Sequence, residues 1–310
     1  MQYYLFVLLA VIALAVSFCL TKLYQNRTGD ALRTGVLFNI LCGGMTAVIF
    51  LCIALLMDGN AFALTGFSAL LAFLMAFFSG AYTVIGFRIM AHGSVAVYTL
   101  FLMLGGMMLP YFFGLIFLHE EFSVLRLIGL VLMVVSLILS ANKTEGEKKK
   151  GSALFLILCV SVFLLNGGCS IVSKIHQLPQ YAEKAVTSAQ FVVLNSLAKI
   201  VLFAVLLVLL PLFRKRGQPR ETANDAGKEK SIFRARILFL IFLIALAGGV
   251  SYLLQLIGAS HLPATVLYPM VTGGSVILST LAARIWFHEK ISRKTAIGIG
   301  LCFLSTLFFL

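Results

Sequence analysis

The residues of this sequence best suited to chemistry are polar side chains at helical spacing inside long apolar stretches. One stretch carries Tyr82 and Thr83. A second carries Ser251, Tyr252 and Gln255. Residues three or four positions apart share one face of a helix, so these hydroxyl and amide groups form polar faces. Such faces predict either a cavity for a small polar ligand or close contacts between helices, which Ser also favours.

Three further apolar stretches contain polar side chains that belong to the same predicted site. They are Asn166 and Ser170, then Asn195 and Lys199, and finally Tyr268, Thr272 and Ser275. Lys199 is the one basic residue near the middle of an apolar stretch, where a charge is costly. It is expected either to face an anionic or zwitterionic substrate, or to snorkel or join helices through its long side chain.

The elements that must position these residues are membrane-spanning helices. The chain has 310 residues, of which 61% are hydrophobic and 11% are charged, whereas globular domains are about 25% charged. A helix needs about 20 apolar residues to cross a bilayer. Ten stretches qualify, at about 3–22, 34–57, 62–87, 93–118, 123–141, 152–173, 186–210, 237–259, 263–287 and 293–310. The first is expected to remain as a span, because neither a basic leader nor an A-x-A-like cleavage site accompanies it.

The basic residues, which give the chain a formal net charge of +13, lie mainly beside these spans. Of the 24 Lys and Arg residues, 20 fall in odd-numbered connections and three in even-numbered connections. Because Lys and Arg are retained on the cytoplasmic side, we expect the odd connections there and both termini on the extracytoplasmic face of the cell membrane. The distribution explains the charge without a nucleic-acid partner.

Neither a cofactor nor a metal site is expected from the sequence. The six Cys residues all fall within apolar spans and lack the C-x-x-C spacing of zinc and redox sites. The sequence has no Ser-His-Asp arrangement, no clustered His or Asp residues and no G-x-x-x-x-G-K-[ST] phosphate loop. An integral membrane enzyme is therefore disfavoured, and an ATP-driven pump would need a partner chain.

The sequence contains an internal repeat. The segment LHEEFSVLRLIG at 118–129 returns as FHEKISRKTAIG at 287–298, 169 residues downstream. The same shift aligns 79–140 with 248–309 without gaps, and a shift of 152 to 153 pairs earlier positions. Each copy holds five spans, which is an odd number, so the second copy must enter the membrane upside down.

The repeat predicts the fold class and the domain organisation. We expect an all-α integral membrane protein with ten transmembrane helices, arranged as two inverted five-helix repeats. The predicted units are a first repeat at 1–141, a linker at 142–150 and a second repeat at 151–310, which includes a basic cytoplasmic loop at 214–236.

The repeated polar hairpin has a structural explanation. Ser123 and Ser292 precede the fifth and tenth spans and are expected to cap those helices. Glu120 and Glu289 would then lie near the positive ends of the same helix dipoles. A metal site or acid/base pair built on His and Glu is the alternative, but the second histidine of an H-E-x-x-H motif is missing.

Two spans are expected to depart from regular helix. The NGG sequence at 166–168 should loosen the sixth span, and Pro263 and Pro269 should bend the ninth near its start by removing backbone donors. Both sites would expose backbone groups for ligand contact.

Three features of the sequence match a known family. They are the five-plus-five spans, the HE-x-x-S hairpin before the last span of each half, and Lys22 and Lys174, which close the first span of each half. In these features the chain resembles the EamA-like branch of the drug/metabolite transporter superfamily. The resemblance implies a secondary transporter or facilitator that exports a small amphipathic, amino-acid-like metabolite by alternating access. Some relatives move lipid-attached sugars, so a lipid-linked carrier flippase with a cavity open sideways to the bilayer is the alternative.

The acidic residues narrow the substrate class. All eleven Asp and Glu residues lie at span ends or in loops. Small four-span relatives that exchange lipophilic cations for protons use a buried Glu, which this chain lacks, so cation export is disfavoured. We expect a neutral, zwitterionic or anionic substrate, with membrane lipids as the other partner and a monomer or homodimer as the working unit. Coupling to protons would require His92, His261 or Lys199 to titrate.

Overall fold

The described part of the chain consists of α-helices and one short 3₁₀ turn. The computed structural model describes residues 2–28, 32–57, 62–92, 95–140, 153–209, 232, 234–286 and 293–309. The α-helices with described bounds are α1 (Gln2–Thr28), α2 (Leu32–Met57), α3 (Gly66–His92), α4 (Val95–Phe117), α5 (Val124–Ser140), α6 (Ala153–His176), α7 (Ser188–Leu209), α8 (Ala235–His261), α9 (Ala264–Trp286) and α10 (Arg293–Leu307). The 3₁₀ turn, Pro179–Tyr181, lies between α6 and α7, and these ranges contain no strand.

Most of these helices are long enough to cross a membrane. Helices α1 to α4 and α6 to α9, eight in the described part of the chain, meet the length and hydropathy of a span. Helices α5 and α10 are shorter, with 17 and 15 residues. Both still carry large exposed apolar side chains, such as Val131 and Phe303. The predicted class, an all-helical multi-pass membrane protein, is confirmed.

The helices pack mainly across the two halves of the chain. Helix α1 packs on α8 and α9, α2 on α7 and α8, α3 on α6 and α7, α4 on α6 and α9, and α5 on α10. When each helix of α1 to α5 is exchanged for its counterpart in α6 to α10, three pairs (α2–α7, α4–α9 and α5–α10) are unchanged and every other pair becomes another pair of this set. The pairing of helices therefore has the twofold character that a repeated unit produces.

Helices α5 and α10 are joined by two equivalent hydrogen bonds. Ser136 Oγ in α5 donates to the carbonyl oxygen of Gly298 in α10 at 2.6 Å. Ser305 Oγ in α10 donates to the carbonyl oxygen of Gly129 in α5, also at 2.6 Å. Donor and acceptor in the second bond each lie 169 residues from their counterparts in the first. Because the later residue of each helix contacts the earlier residue of the other, the two helices run antiparallel.

Close packing of α4 on α6 and of α9 on α1 depends on glycine. A Cβ at Gly105 in α4 would collide with the carbonyl group of Phe163 in α6. The equivalent glycine of the second half, Gly274 in α9, faces Val11 of α1 with Cγ1 2.8 Å from an added Cβ. Small residues permit such close approach between helices in membranes.

The expectation that NGG loosens the sixth span is wrong. Helix α6 is continuous from Ala153 to His176. An added Cβ at Gly167 would lie 2.6 Å from Cβ of Leu109, and one at Gly168 would lie 3.0 Å from the ring of Phe78. Gly167 and Gly168 therefore allow α6 to pack closely against α4 and α3. The helix remains regular at these glycines because neighbouring helices pack against them.

The α4–α5 connection confirms the predicted cap at Ser123. Its Oγ accepts a hydrogen bond from the backbone N–H of Arg126 at 3.5 Å, at the start of α5. His119 ends α4 in a left-handed conformation with φ of 52°, and the N–H of Glu120 then donates to the carbonyl oxygen of Gly114 at 3.0 Å. This is how a helix is commonly closed at its C-terminus. The repeated positions His288, Glu289 and Ser292 lie outside the described residues.

Candidate functional site

A cavity of about 540 Å³ lies between helices of both halves. Its described lining comes from α1 to α4 and α6 to α9, whereas α5 and α10 contribute no described residue. The polar residues that line it are Ser17, Thr21, Asn39, Thr46, Ser79, Tyr82, Asn166, Ser170, Ser173, Asn195, Ser196, Lys199, Tyr252, Gln255, Tyr268, Thr272 and Ser275. The volume is within the range of small-molecule sites.

Ten of the twelve residues predicted from the sequence line this cavity. They are Tyr82, Asn166, Ser170, Asn195, Lys199, Tyr252, Gln255, Tyr268, Thr272 and Ser275. The other two have partners elsewhere. Thr83 Oγ1 donates to the carbonyl oxygen of Ser79 within α3 at 2.7 Å, and Ser251 Oγ donates to the carbonyl oxygen of Ala10 in α1 at 2.8 Å.

Several of the ten also hold the cavity wall together. Asn166 Nδ2 donates to the carbonyl oxygen of Leu102 at 2.7 Å, and Ser170 Oγ donates to that of Gly106 at 3.1 Å, which joins α6 to α4. Tyr268 Oη donates to the carbonyl oxygen of Ser170 at 2.6 Å, which joins α9 to α6. These bonds fix the positions of the helices around the cavity.

Tyr252 closes the wall between α8, α3 and α6. Its hydroxyl lies 3.2 Å from Ser173 Oγ and 2.9 Å from the sulfur of Met75. One turn further along α8, Gln255 Nε2 donates to Ser251 Oγ at 3.0 Å. The amide oxygen of Gln255 is not engaged in that bond and remains an acceptor in the cavity lining.

Helix α7 contributes the charged part of the cavity. Asn195 and Lys199 lie one turn apart and both line it. Asn195 is 3% exposed, and its Oδ1 has no hydrogen-bond partner among the described residues. Lys199 lies within electrostatic range of the thiols of Cys42 in α2 and Cys169 in α6. No acidic residue that the structure describes lines the cavity.

The sequence patterns did not predict the contribution of α1 and α2. Thr21, Asn39 and Thr46 line the cavity, and Asn39 and Thr46 also donate to carbonyl oxygens of their own helix at 2.8 Å. A signal for one of them exists in the repeat. A shift of 153 residues places Thr46 at the position of Lys199.

The expectation that Glu120 serves the N-terminus of α5 is wrong. Its carboxylate binds the N-terminus of α9 in the other half, where Oε1 accepts from the N–H of Ala264 at 2.6 Å and Oε2 accepts from that of Thr265 at 2.9 Å. The left-handed residue His119 turns the chain so that Glu120 faces α9. Pro263 directly precedes α9, so of the two prolines expected to bend this span only Pro269 lies inside the helix.

Lys174 holds the other side of the same α8–α9 turn. Its Nζ donates to the carbonyl oxygens of Ala259 at 2.8 Å and Leu262 at 2.7 Å, at the C-terminal end of α8. The side chain is 6% exposed. A cation on the C-terminus of α8 and an anion on the N-terminus of α9 both complement the helix dipoles. Together Glu120 and Lys174 tie this turn to α4 and α6.

His261, one of the two histidines considered as proton carriers, does not line the central cavity. His261 lies in a separate cavity of about 360 Å³ beside the α6–α7 connection, with His176, Gln177 and Ser188. Its ring stacks on Tyr3 with centroids 3.8 Å apart. The side chain of His92 falls outside the described part of the structure.

Comparisons with known proteins agree with this architecture. Residues 178–310, which run from the α6–α7 connection to the end of the chain, match the model of the EamA-like transporter family. No curated protein matches the chain. Among solved structures 28 chains match, and one of them, described only as the crystal structure of a protein, covers 99% of this chain and 96% of its own with a TM-score of 0.76. Its 14% identity supports a shared fold alone.

The family match confirms the resemblance that the repeat and its motifs predicted. It covers α7 to α10 of the second half, and with them Lys199, Tyr252 and Tyr268 of the cavity. Residues 178–310 are therefore similar to the EamA-like transporter family, a family of membrane transporters in the drug/metabolite transporter superfamily.

Proposed function

We propose that this protein carries a small polar or amphipathic metabolite across the cell membrane by alternating access of the central cavity. The single observation that carries the proposal is a cavity of about 540 Å³ with a polar lining drawn from eight helices of both halves. In a chain whose outer surface is apolar, polar groups gathered at the centre are suited to a ligand that must leave water during passage.

The proposal includes two inverted five-helix repeats, at 1–141 and 151–310, joined by the linker at 142–150. Three pairs of corresponding helices run antiparallel. The paired bonds of Ser136 and Ser305 support this for α5 and α10. The contact of Glu120, after α4, with the start of α9 supports it for α4 and α9. The bond from the N–H of Ala63, after α2, to Gln190 near the start of α7 supports it for α2 and α7.

Inverted repeats suit alternating access because each half can adopt the conformation of the other. The direction of transport in the proposal is export, and the basic connections, including the loop at 214–236, face the cytoplasm. The substrate-binding residues are the ten predicted residues that line the cavity, together with Thr46 and Asn39 of α2.

Flux through proteoliposomes tests the proposal. Purified protein is reconstituted, and uptake of radiolabelled amino acids, organic acids and a lipid-linked sugar is compared with uptake into empty liposomes. Substitution Thr46→Trp places a large side chain in the cavity and is expected to abolish the flux of the transported compound. Val201→Trp is the matched control, because Val201 in α7 is 62% exposed on the outer surface, and it is expected to keep the flux.

Two results would contradict the proposal. Equal flux in the Thr46→Trp variant and the unmodified protein would show that the transported compound does not pass through this cavity. Movement of the lipid-linked sugar alone, with no flux of soluble compounds, would favour the flippase in its place.

A further inference from the structure

The central cavity is lined by one basic side chain with no acidic side chain among the described residues to balance it. Lys199 is its only described basic lining residue, and none of the described acidic residues lines it. Glu120, Glu121 and Glu183, the acidic residues that the structure describes, lie in the connections after α4 and α6. An uncompensated charge inside a membrane protein is costly and marks a functional site.

A second, independent observation places a ligand at the same point. Asn195 Oδ1 is buried without a hydrogen-bond partner among the described residues, one helical turn from Lys199. Buried polar atoms are satisfied in the great majority of cases, so such an atom calls for a partner that is absent from the protein itself. Because an amide oxygen only accepts, Asn195 Oδ1 calls for a donor on the ligand, such as a hydroxyl or N–H group. The ammonium group of Lys199, one turn away, calls for an anionic group on the same ligand.

The geometry points to a substrate that is a small organic monoanion, whose charged group pairs with Lys199 and whose hydroxyl or N–H group donates to Asn195 Oδ1. This inference rests on the proposed function, because it names the substrate class of the same cavity. A single negative charge balances the single lysine. A dianion would leave one charge unbalanced, since the described lining offers no Arg and no second Lys.

Cationic substrates are excluded by the same balance of charge. A cation in the cavity would face Lys199 with no carboxylate in the described lining to offset the repulsion. A zwitterion is a weaker ligand than a monoanion, because its ammonium group must leave water for neutral oxygen atoms alone. Of the neutral, zwitterionic and anionic substrates expected from the sequence, the anionic class therefore fits the cavity best.

The chain supplies its own probe for this charge. Cys42 in α2 lines the cavity and lies within electrostatic range of Lys199. Two methanethiosulfonate reagents of similar size, one with an anionic sulfonatoethyl group and one with a cationic trimethylammonioethyl group, modify a thiol at rates that depend on the local potential. The ratio of their rates on Cys42, divided by their ratio on a free thiol in solution, cancels differences in thiol reactivity.

The experiment measures this normalised anion-to-cation ratio by peptide mass spectrometry on the purified full-length protein. A Cys42→Ala variant identifies the signal of this thiol. We expect a ratio of about ten or more in the unmodified protein, because the charge of Lys199 acts on Cys42 through a medium of low effective dielectric constant. Lys199→Arg keeps the charge and is expected to keep the ratio, whereas Lys199→Met should lower it to about one.

Asn195→Asp tests whether Asn195 shares a site with Lys199. A carboxylate one turn from Lys199 should cancel the local charge and bring the ratio to about one or below. An unchanged ratio would show that Asn195 does not share a site with Lys199. A ratio near one in the unmodified protein would overturn the inference even if the Lys199→Met variant fails to fold.

The result also separates this inference from the proposed function. Modification of Cys42 by both reagents at a normalised ratio of one would leave a water-accessible cavity and reject only the anionic substrate. Failure of both reagents to reach Cys42 would reject the accessible cavity on which the proposed function depends, and the inference with it.

Discussion

Glu120 performs a different task from the one its sequence position indicates. Its two carboxylate oxygens accept three hydrogen bonds from α9, two from backbone N–H groups of Ala264 and Thr265 and one from Thr265 Oγ1 at 2.8 Å. The first N–H groups of a helix have no partner within the helix, and a negative charge there also complements the dipole. One side chain of the first half therefore stabilises a helix of the second.

Glu120→Gln should lower the free energy of unfolding by about 1–2 kcal/mol, because the neutral amide loses the charge and one of two acceptor oxygens. Thermal unfolding in detergent measures the change. Glu121→Gln is the control, since Glu121 is exposed and makes none of these bonds. Equal midpoints for the two variants would show that the cap contributes nothing.

Individual residues show what a sequence pattern can and cannot reveal about the cavity. Lys199 and Tyr252 were predictable because a charged or bulky polar group in an apolar span requires a polar environment. Asn39 was not, since it donates to a carbonyl oxygen of its own helix and gives no sign that it faces a cavity. Thr46 also donates to its own helix, and its only signal is its alignment with Lys199 in the repeat. Ser251 and Tyr252 were both predicted to line the cavity. Only Tyr252 does, because Ser251 hydrogen-bonds to α1.

At the scale of helices, close packing of α4 on α6 is the feature most sensitive to substitution. Gly105 leaves no room for a Cβ, and the obstacle is the backbone carbonyl group of Phe163, which cannot rotate away. At the equivalent Gly274 the obstacle is the side chain of Val11, which can shift. Corresponding helices of the two halves therefore pack in the same pairs, but Gly274 tolerates a larger residue better than Gly105 does.

Gly105→Ala should destabilise the protein by about 2 kcal/mol or more, because α4 and α6 must separate. Gly274→Ala should cost less. Gly44→Ala in α2 is the control, since nothing lies within 4 Å of an added Cβ there, and the change should be neutral or stabilise by about 0.5–1 kcal/mol. The midpoints of thermal unfolding in detergent measure the relative stability of the three variants. A Gly44→Ala variant as unstable as the Gly105→Ala variant would contradict the prediction.

The helices themselves were largely predictable from apolar length, because the bilayer dictates how many residues a span needs. Helix α5, predicted at about 123–141, runs from Val124 to Ser140. The predicted end of the first span at residue 22 was too early, since α1 continues to Thr28 through polar residues that hydropathy does not count. Continuity of α6 through NGG was not predictable, because it depends on partners in α3 and α4 that sequence spacing does not show.

At the scale of the whole molecule, the cavity depends on both halves, since the helices that line it pack chiefly across the repeat boundary. This interlocking explains why Glu120 of the first half acts on α9 of the second half rather than on its own neighbours in sequence. A unit copied in the inverted orientation also places corresponding connections at opposite ends of the bundle. Tyr24, near the end of α1, packs with Ile237 at the start of α8, whereas Lys174, near the end of α6, binds Leu262 just after α8 ends.

The proposed inverted arrangement predicts that the ends of α1 and α6 lie on opposite sides of the membrane. Asn26→Cys and Ala182→Cys probe them at exposed positions without altering any of the charges that set orientation. In intact cells a membrane-impermeant maleimide should label the Ala182→Cys variant and spare the Asn26→Cys variant, and both should react once the membrane is opened. The unmodified chain sets the background from its native thiols. The opposite pattern would reverse the orientation and preserve the inversion, whereas labelling of both variants from the same side would leave two parallel repeats, which cannot exchange conformations across the membrane.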